Sequence, residues 1–458
     1  MDQITINKKE FYKKVVFLVL PMALQNLINV GVTAADVIML GKVSETVLSG
    51  SSLAGQVQWV MNLIFFGISS GASVLTAQYW GKKDVDTVEK ILGIGLGISM
   101  MVSIVFFLAA LLFPMPLMRI FTKEQAVLEE GVKYLGIVAF SYLIMGFTNN
   151  YLNIIRSVER VVISTVVYSI SLGVNVCLNY VLIYGNLGAP AMGIQGAAIA
   201  TLTARIIELC IVLFYAIHIN KEVKVRLKYF FTKDKRLFRD FLFYALPVII
   251  NELLWGAGYS ANAAIIGRLG SSVVAANSVA HVARQLATVV SFGVAGASAI
   301  MLGKAIGEHR EDLAENYAKR LIRLTIVTGL IGGTVILLIR PFIVGVMGLS
   351  GETVVYMKFF LFVMSYYVIA QALNSTWIVG IFRSGGDTRF GLILDVASMW
   401  GGSIFLGAMS AFVWKFPIPL VFIILMSDEL IKLPFCFLRY RSKKWLRNVT
   451  REDEEAIE

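Results

Sequence analysis

Asp36 stands in a stretch that is otherwise apolar from about residue 15 to residue 40, and Gln25 and Asn29 precede it in the same stretch. At 100 degrees per residue the three fall within about 40 degrees of one another, so a helix here carries a polar stripe ending at a carboxylate. A charged side chain in hydrocarbon costs roughly 2.5–3.5 kcal/mol on insertion scales, which points to an ion or proton site facing a protein interior. The plainer alternative is a helix-end carboxylate near water.

Other polar side chains in apolar stretches extend the set. Asn175 and Asn179, four apart, share one helix face, and Thr201 lies in the next apolar stretch. A carboxylate, amides and a hydroxyl together suit a hard cation such as Na⁺ at Asp36, or tune the acid for a proton. Buried Asn and Thr taken alone are more often interhelical hydrogen bonds. Arg205 and Glu208, an i, i+3 pair, read as self-neutralising. Glu252 and Arg284 each lie about 11 residues inside their stretches, roughly 16 Å deep, so an ion pair near the midplane is expected. A carboxylate on a substrate or proton pathway is the alternative for Glu252, and Asp395 is either such an acid or one reaching back to the interface. Arg205 and Arg284 are the intramembrane arginine candidates. Cys177, Cys210 and Cys436 all fall in apolar stretches, and the three histidines show no ligand spacing to Cys or Glu, so no cysteine-based metal site or zinc motif is expected.

These residues need elements suited to lipid. Of the 458 residues 57% are apolar and 16% charged, against roughly 45–50% and about 25% in soluble domains, and the mean hydropathy is +0.75. The apolar runs are long enough to cross roughly 30 Å of hydrocarbon. A backbone there must satisfy its own N–H and C=O groups, so the fold class is an all-α polytopic membrane protein of about twelve helices. The predicted spans are 15–40, 54–79, 91–112, 133–155, 161–184, 193–217, 241–267, 273–303, 321–339, 359–382, 390–412 and 418–438. The first has no small-residue cleavage pattern behind it and reads as a retained helix.

About 30 of the 41 Lys and Arg fall on the side that carries both termini, which the positive-inside asymmetry makes cytoplasmic. That asymmetry accounts for the net charge of +11 without a nucleic-acid partner.

A basic stretch at 219–240 divides the spans six and six. At an offset of 226, Pro21 falls on Pro247, Ala35 on Ala261, Gly41 on Gly267, Gly67 on Gly293 and Gly81 on Gly307; one further residue aligns Arg156 and Ser157 with Arg383 and Ser384. Matching prolines and glycines signal a repeat beyond shared hydrophobicity. The expected organisation is two pseudo-symmetric six-helix bundles, 1–218 and 241–440, a cytoplasmic linker at 219–240 and a tail at 441–458. A substrate site between such halves is a transporter arrangement.

Pro21 followed by Ala34-Ala35-Asp36-Val37-Ile38-Met39-Leu40-Gly41, then Gly71-Ala72-Ser73, Leu182-Ile183-Tyr184-Gly185, Gly196-Ala197-Ala198-Ile199-Ala200-Thr201 and Arg383-Ser384-Gly385-Gly386-Asp387-Thr388, carry a family pattern. Over essentially the whole chain the sequence resembles the multidrug and toxic compound extrusion (MATE) family. The resemblance implies a monomeric antiporter of the bacterial cytoplasmic (inner) membrane that exports organic cations and drugs while Na⁺ or H⁺ enters. It makes Asp36 the coupling-ion residue, assisted by Asn175, Asn179 and Thr201, with no other cofactor and with small organic cations and membrane lipid as partners. The alternative is a lipid-linked oligosaccharide or lipid II flippase of the same broad superfamily, which should line its cleft with several cationic side chains. An enzyme is not expected, because the spans hold no nucleophile, base and orienter together, and no Gly-x-x-x-x-Gly-Lys-Ser/Thr loop supplies an ATP site.

Overall fold

The computed structural model describes residues 8–230, 234–346 and 351–451, so the predicted linker and tail lie partly outside it. Among the described residues the regular structure is helical throughout. The elements are α1 (Lys8–Gly41), α2 (Glu45–Lys82), α3 (Val85–Leu112), α4 (Pro114–Arg119), α5 (Gln125–Arg156), α6 (Val162–Tyr184), α7 (Gly193–Phe214) and α8 (Lys235–Gly267), then α9 (Ser271–Gly307), α10 (Glu311–Val346), α11 (Glu352–Ser375), α12 (Thr388–Val396), α13 (Phe405–Ala408), α14 (Ile418–Leu425) and α15 (Asp428–Arg441). Eleven helical segments of the described residues are long and apolar enough to cross a membrane.

Local chemistry sets several boundaries. Asp84 caps α3 by accepting a hydrogen bond from the Thr87 amide at 3.1 Å, satisfying one of the donors a helix start leaves free. Gly185, at φ 74°, ends α6 in the left-handed conformation that glycine adopts without steric cost. Pro21 and Pro247, related by the repeat offset, lie inside α1 and α8. Each removes one backbone donor from its helix.

The twelfth predicted span, 418–438, is not one helix: α14 ends at Leu425, and α15 begins at Asp428 after a break at Met426 and Ser427. Hydropathy averaged over the segment hides this break. The acids Asp428 and Glu429 stand in the first turn of α15, where the helix dipole favours negative charge. π-helical turns at Thr376–Phe382, Ala397–Ile404 and Met409–Val413 interrupt the preceding two spans. They shift the helix faces that follow them.

The chain falls into two compact units. One consists of the described parts of Met1–Ala23, Ser73–Lys83 and Ile250–Glu458, the other of Leu24–Ala72 and Asp84–Ile249. In the first, α9, α10 and α11 pack together, and the Phe360 and Phe422 rings stack at 3.7 Å within a core that includes Met364 and Leu425. The stretch that follows α15 is held in the same unit: the buried Gln78 amide donates to the Ser384 carbonyl at 2.7 Å and the Arg447 carbonyl at 3.0 Å, and accepts from the Val449 amide at 2.7 Å.

In the second unit α5 packs between α3 and α7, α6 packs on α7, and α2 meets α8 through glycines. A Cβ on Gly71 would lie 2.3 Å from the Ala245 Cα, and one on Gly67 would lie 2.6 Å from the Ile249 Cα. Small residues permit this backbone approach, which in lipid replaces the hydrophobic effect as a source of helix association. Gly71→Val is therefore expected to destabilise the protein by about 1–3 kcal/mol, read as a lower melting temperature in detergent. Gly55→Val, at a position where an added Cβ meets nothing within 4 Å, is the control and should melt like the parent.

Candidate functional site

The second unit encloses a cavity of about 490 Å³ lined from α1, α2, α5, α6 and α7. That volume is within the range of small-molecule sites. Gln25, Asn29 and Asp36 all face it, so the stripe read from the sequence is one continuous wall. The structure also brings the four predicted ion-site residues together. The Asn179 amide donates to Asp36 Oδ1 at 2.6 Å and to Asn175 Oδ1 at 3.2 Å, and Asn175 in turn donates to Thr201 Oγ1 at 3.4 Å. Asn179 and Asn175 are 0% and 2% exposed. Four-residue spacing stacks them on one face of α6, and α7 packs against that face.

Asp36 is thus solvated by an amide and not by a basic side chain, and no Lys or Arg lies within ion-pair distance of it among the described residues. Arg205, on the same cavity wall, instead holds Glu208 through its Nη1 at 2.7 and 2.9 Å, as the i, i+3 spacing predicted.

Sequence reasoning missed Arg156 as a cavity residue. It closes α5, where a basic side chain usually turns to water, but here its Nη2 donates to Gln25 Oε1 at 2.8 Å and the guanidinium faces the cavity. The signal was available in the repeat: Arg156 aligns with Arg383, and Arg383 likewise reaches the stretch after the helix proline, where it pairs with Glu252 at 2.9 Å.

That contact corrects the expected pairing of Glu252 with Arg284. Equal depth suggested it, but depth does not fix which way a side chain points around its helix. Arg284 meets His281 Nε2 at 2.7 Å and lies 5.7 Å from the centre of the Tyr367 ring. It lines a separate cavity of the first unit with Tyr259, Asn262 and Asp428.

Asp395 is held by side chains of the first unit. It accepts from Asn251 at 2.9 Å and pairs with Lys432 at 2.9 Å, and Lys432 also meets Glu429 at 3.2 Å and Asp428 at 3.5 Å. Lys432 is only 3% exposed. The sequence signal for this cluster was three charges within five residues of an apolar span, Asp428, Glu429 and Lys432. Asn374 adds a donor to Glu429 Oε2 at 2.7 Å. Among the described residues no group of three or more His, Cys, Asp or Glu is arranged to hold a metal ion.

A polytopic helical protein with a polar, substrate-sized cavity walled by an internal carboxylate is a membrane transporter by class. The MatE family model matches the chain twice, over residues 21–181 and 247–409, which together exceed half its length, and the chain belongs to that family. The two matches begin 226 residues apart, the offset of the repeat. Among curated proteins, the uncharacterised transporter YisQ of Bacillus subtilis (strain 168) is 22% identical over 420 residues, 90% of this chain and 90% of its own length. A probable multidrug resistance protein NorM of Thermotoga maritima is 21% identical over 448 residues, 97% of this chain and 95% of that protein. Among solved structures, a MOP superfamily transporter from Pyrococcus furiosus superposes with a TM-score of 0.85 at 19% identity, covering 94% of this chain and 96% of that one. At that identity the likeness concerns the fold.

The buried pair yields a measurable expectation. In equilibrium unfolding in mixed detergent, Glu252→Gln and Arg383→Gln should show a coupling energy of roughly 1–3 kcal/mol. Glu252→Gln combined with Arg284→Gln should be additive within about 0.5 kcal/mol. The opposite pattern would restore the pairing suggested by depth alone.

Proposed function

We propose that the chain is a secondary antiporter that exports organic cations and drugs across the bacterial cytoplasmic membrane in exchange for Na⁺ or H⁺, with Asp36 as the coupling residue. It is expected to act as a monomer with both termini in the cytoplasm. The observation that carries this reading is Asp36 on the wall of a substrate-sized cavity, held by the Asn179 amide and left without a basic partner. A permanent ion pair would have fixed its charge; an amide leaves the carboxylate able to take an ion or a proton and release it again. Support also comes from family membership and from relatives described as probable multidrug resistance proteins.

The amide chain suits both states of the acid. With the Asn179 NH₂ turned to Asp36, the carboxylate is solvated while no ion is bound. The opposite oxygen, Asn179 Oδ1, is buried with no hydrogen-bond partner. Rotating the amide would turn that oxygen towards Asp36, adding a neutral oxygen ligand beside Asn175 Oδ1 and Thr201 Oγ1 for a monovalent cation. Energetically, exporting one positive charge against about 100 mV costs roughly 2.3 kcal/mol, and one entering Na⁺ or H⁺ offsets that term. The ion's concentration gradient then drives export.

Efflux of a fluorescent organic cation from proteoliposomes, under a sodium gradient and a pH gradient imposed separately, tests the reading. Asp36→Asn is expected to abolish gradient-driven efflux by either ion while melting like the parent, because the amide keeps the shape but not the alternating charge. Undiminished efflux by that variant would falsify the assignment. If Na⁺ is the partner, Asn175→Ala and Thr201→Ala should each raise the sodium concentration for half-maximal efflux about tenfold, the effect of losing roughly 1.4 kcal/mol of ligand energy. Efflux that runs equally well on a pH gradient in sodium-free vesicles, with both variants unchanged, identifies H⁺ instead.

A further inference from the structure

From the charges that face the Asp36 cavity we infer that the preferred substrates carry an anionic group, a carboxylate or a phosphonate, in addition to their cationic part, and that the Arg156 guanidinium receives it. This rests on the transport reading above but concerns which molecules the cavity takes, not how their movement is coupled.

Among the described residues four charged side chains line that cavity: Asp36, Arg156, Arg205 and Glu208. Arg205 and Glu208 neutralise each other through hydrogen bonds of 2.7 and 2.9 Å, and Glu208 is 0% exposed. Arg156 has no such carboxylate. Its Nη2 donates to the neutral Gln25, and its Nε is buried without any hydrogen-bond partner.

The repeat makes the omission specific. Arg383, its counterpart in the second half, is matched by Glu252 at 2.9 Å. Where one half closes its arginine with an internal acid, the other offers an amide and leaves the positive charge facing a cavity of about 490 Å³. A half-buried guanidinium with an unused N–H and no carboxylate beside it is costly to hold. It is well suited to an incoming planar anion, which it holds through two parallel charge-assisted hydrogen bonds.

Position supports the division of labour. Arg156 meets α1 at Gln25, eleven residues before Asp36, so the two unpaired charges are separated by about 16 Å along the helix. An anion at Arg156 therefore does not crowd the carboxylate that takes the coupling ion. Trp59 and Tyr168 line the same cavity and supply aromatic side chains suited to the cationic part of a zwitterion.

The test compares two dyes that differ in one group: rhodamine B, whose carboxylate is free, and rhodamine B ethyl ester, in which it is capped. Binding to the purified full chain in detergent is read by fluorescence anisotropy with no gradient present, so failure of coupled efflux would not affect the result. The parent protein is expected to bind the free acid about tenfold more tightly than the ester, the effect of one charge-assisted hydrogen-bonded pair. Arg156→Gln should erase that preference while leaving ester affinity within about twofold, and Arg156→Lys, a point charge without the fork, should reduce it by about threefold.

Equal binding of the two dyes by the parent, preference for the ester, binding of neither, or equal loss of both in Arg156→Gln would overturn the inference. If Arg156→Gln does not fold, Arg156→Lys decides, since an unchanged preference in that variant removes the guanidinium from the site. Short-chain phosphatidylglycerol that displaces rhodamine B at lower concentration than benzoate would assign the arginine to a lipid headgroup and overturn the solute reading.

Discussion

A charge within the hydrocarbon layer loses the water that stabilised it, and the protein must replace that water with its own dipoles or with an opposite charge. The two choices have different consequences. An opposite charge compensates fully and fixes the group in one state; a dipole compensates partly and leaves the group able to change state. In the unit that holds Asp36 the protein meets two charges with dipoles, Asn179 on the acid and Gln25 on Arg156, while Arg205 and Glu208 pair with each other. In the other it uses charges, with Arg383 on Glu252 and Lys432 among Asp395, Asp428 and Glu429. That contrast, within one repeated sequence plan, leaves Asp36 and Arg156 without a charged partner where Glu252 and Asp395 have one.

The same solvent explains the irregular backbone. A lipid-facing helix cannot leave peptide groups unpaired, so interruptions are tolerated only where neighbouring side chains or buried surroundings satisfy them. The break between α14 and α15 brings the α15 N-terminus to Asp428 and Glu429. Ser403, in the π turn Ala397–Ile404, donates to the Leu425 carbonyl at 2.6 Å, the last residue of α14. Backbone groups that the irregularities release are thus taken up by side chains of the adjacent span. Glycines act in the complementary way, letting α2 and α8 approach closely at Gly67 and Gly71 where no side chain could fit.

Much of the molecule was legible in its residue order. The apolar runs dictated membrane helices, because length against bilayer thickness and the need for internal hydrogen bonds leave little alternative. The 226-residue offset of prolines and glycines exposed the duplication, and the 100-degree helical period put Gln25, Asn29 and Asp36 on one wall. The Asn175 and Asn179 spacing likewise placed both amides on one face of α6. These features follow from one-dimensional periodicity and composition, which a sequence carries in full.

Tertiary structure alone decided who meets whom. Glu252 and Arg284 share a depth, yet the partner of Glu252 is Arg383, 131 residues away. Arg156 ends a helix in the manner of a surface residue, and only the packing of α1 against α5 turns it towards Gln25 and the cavity. The broken twelfth span and its Lys432 cluster were hidden by an average hydropathy that registers how apolar a segment is but not whether its backbone continues. Sequence sets each side chain's depth and its angle on its own helix; the rotation of that helix against its neighbours is settled by packing, and a charge finds its partner across that contact.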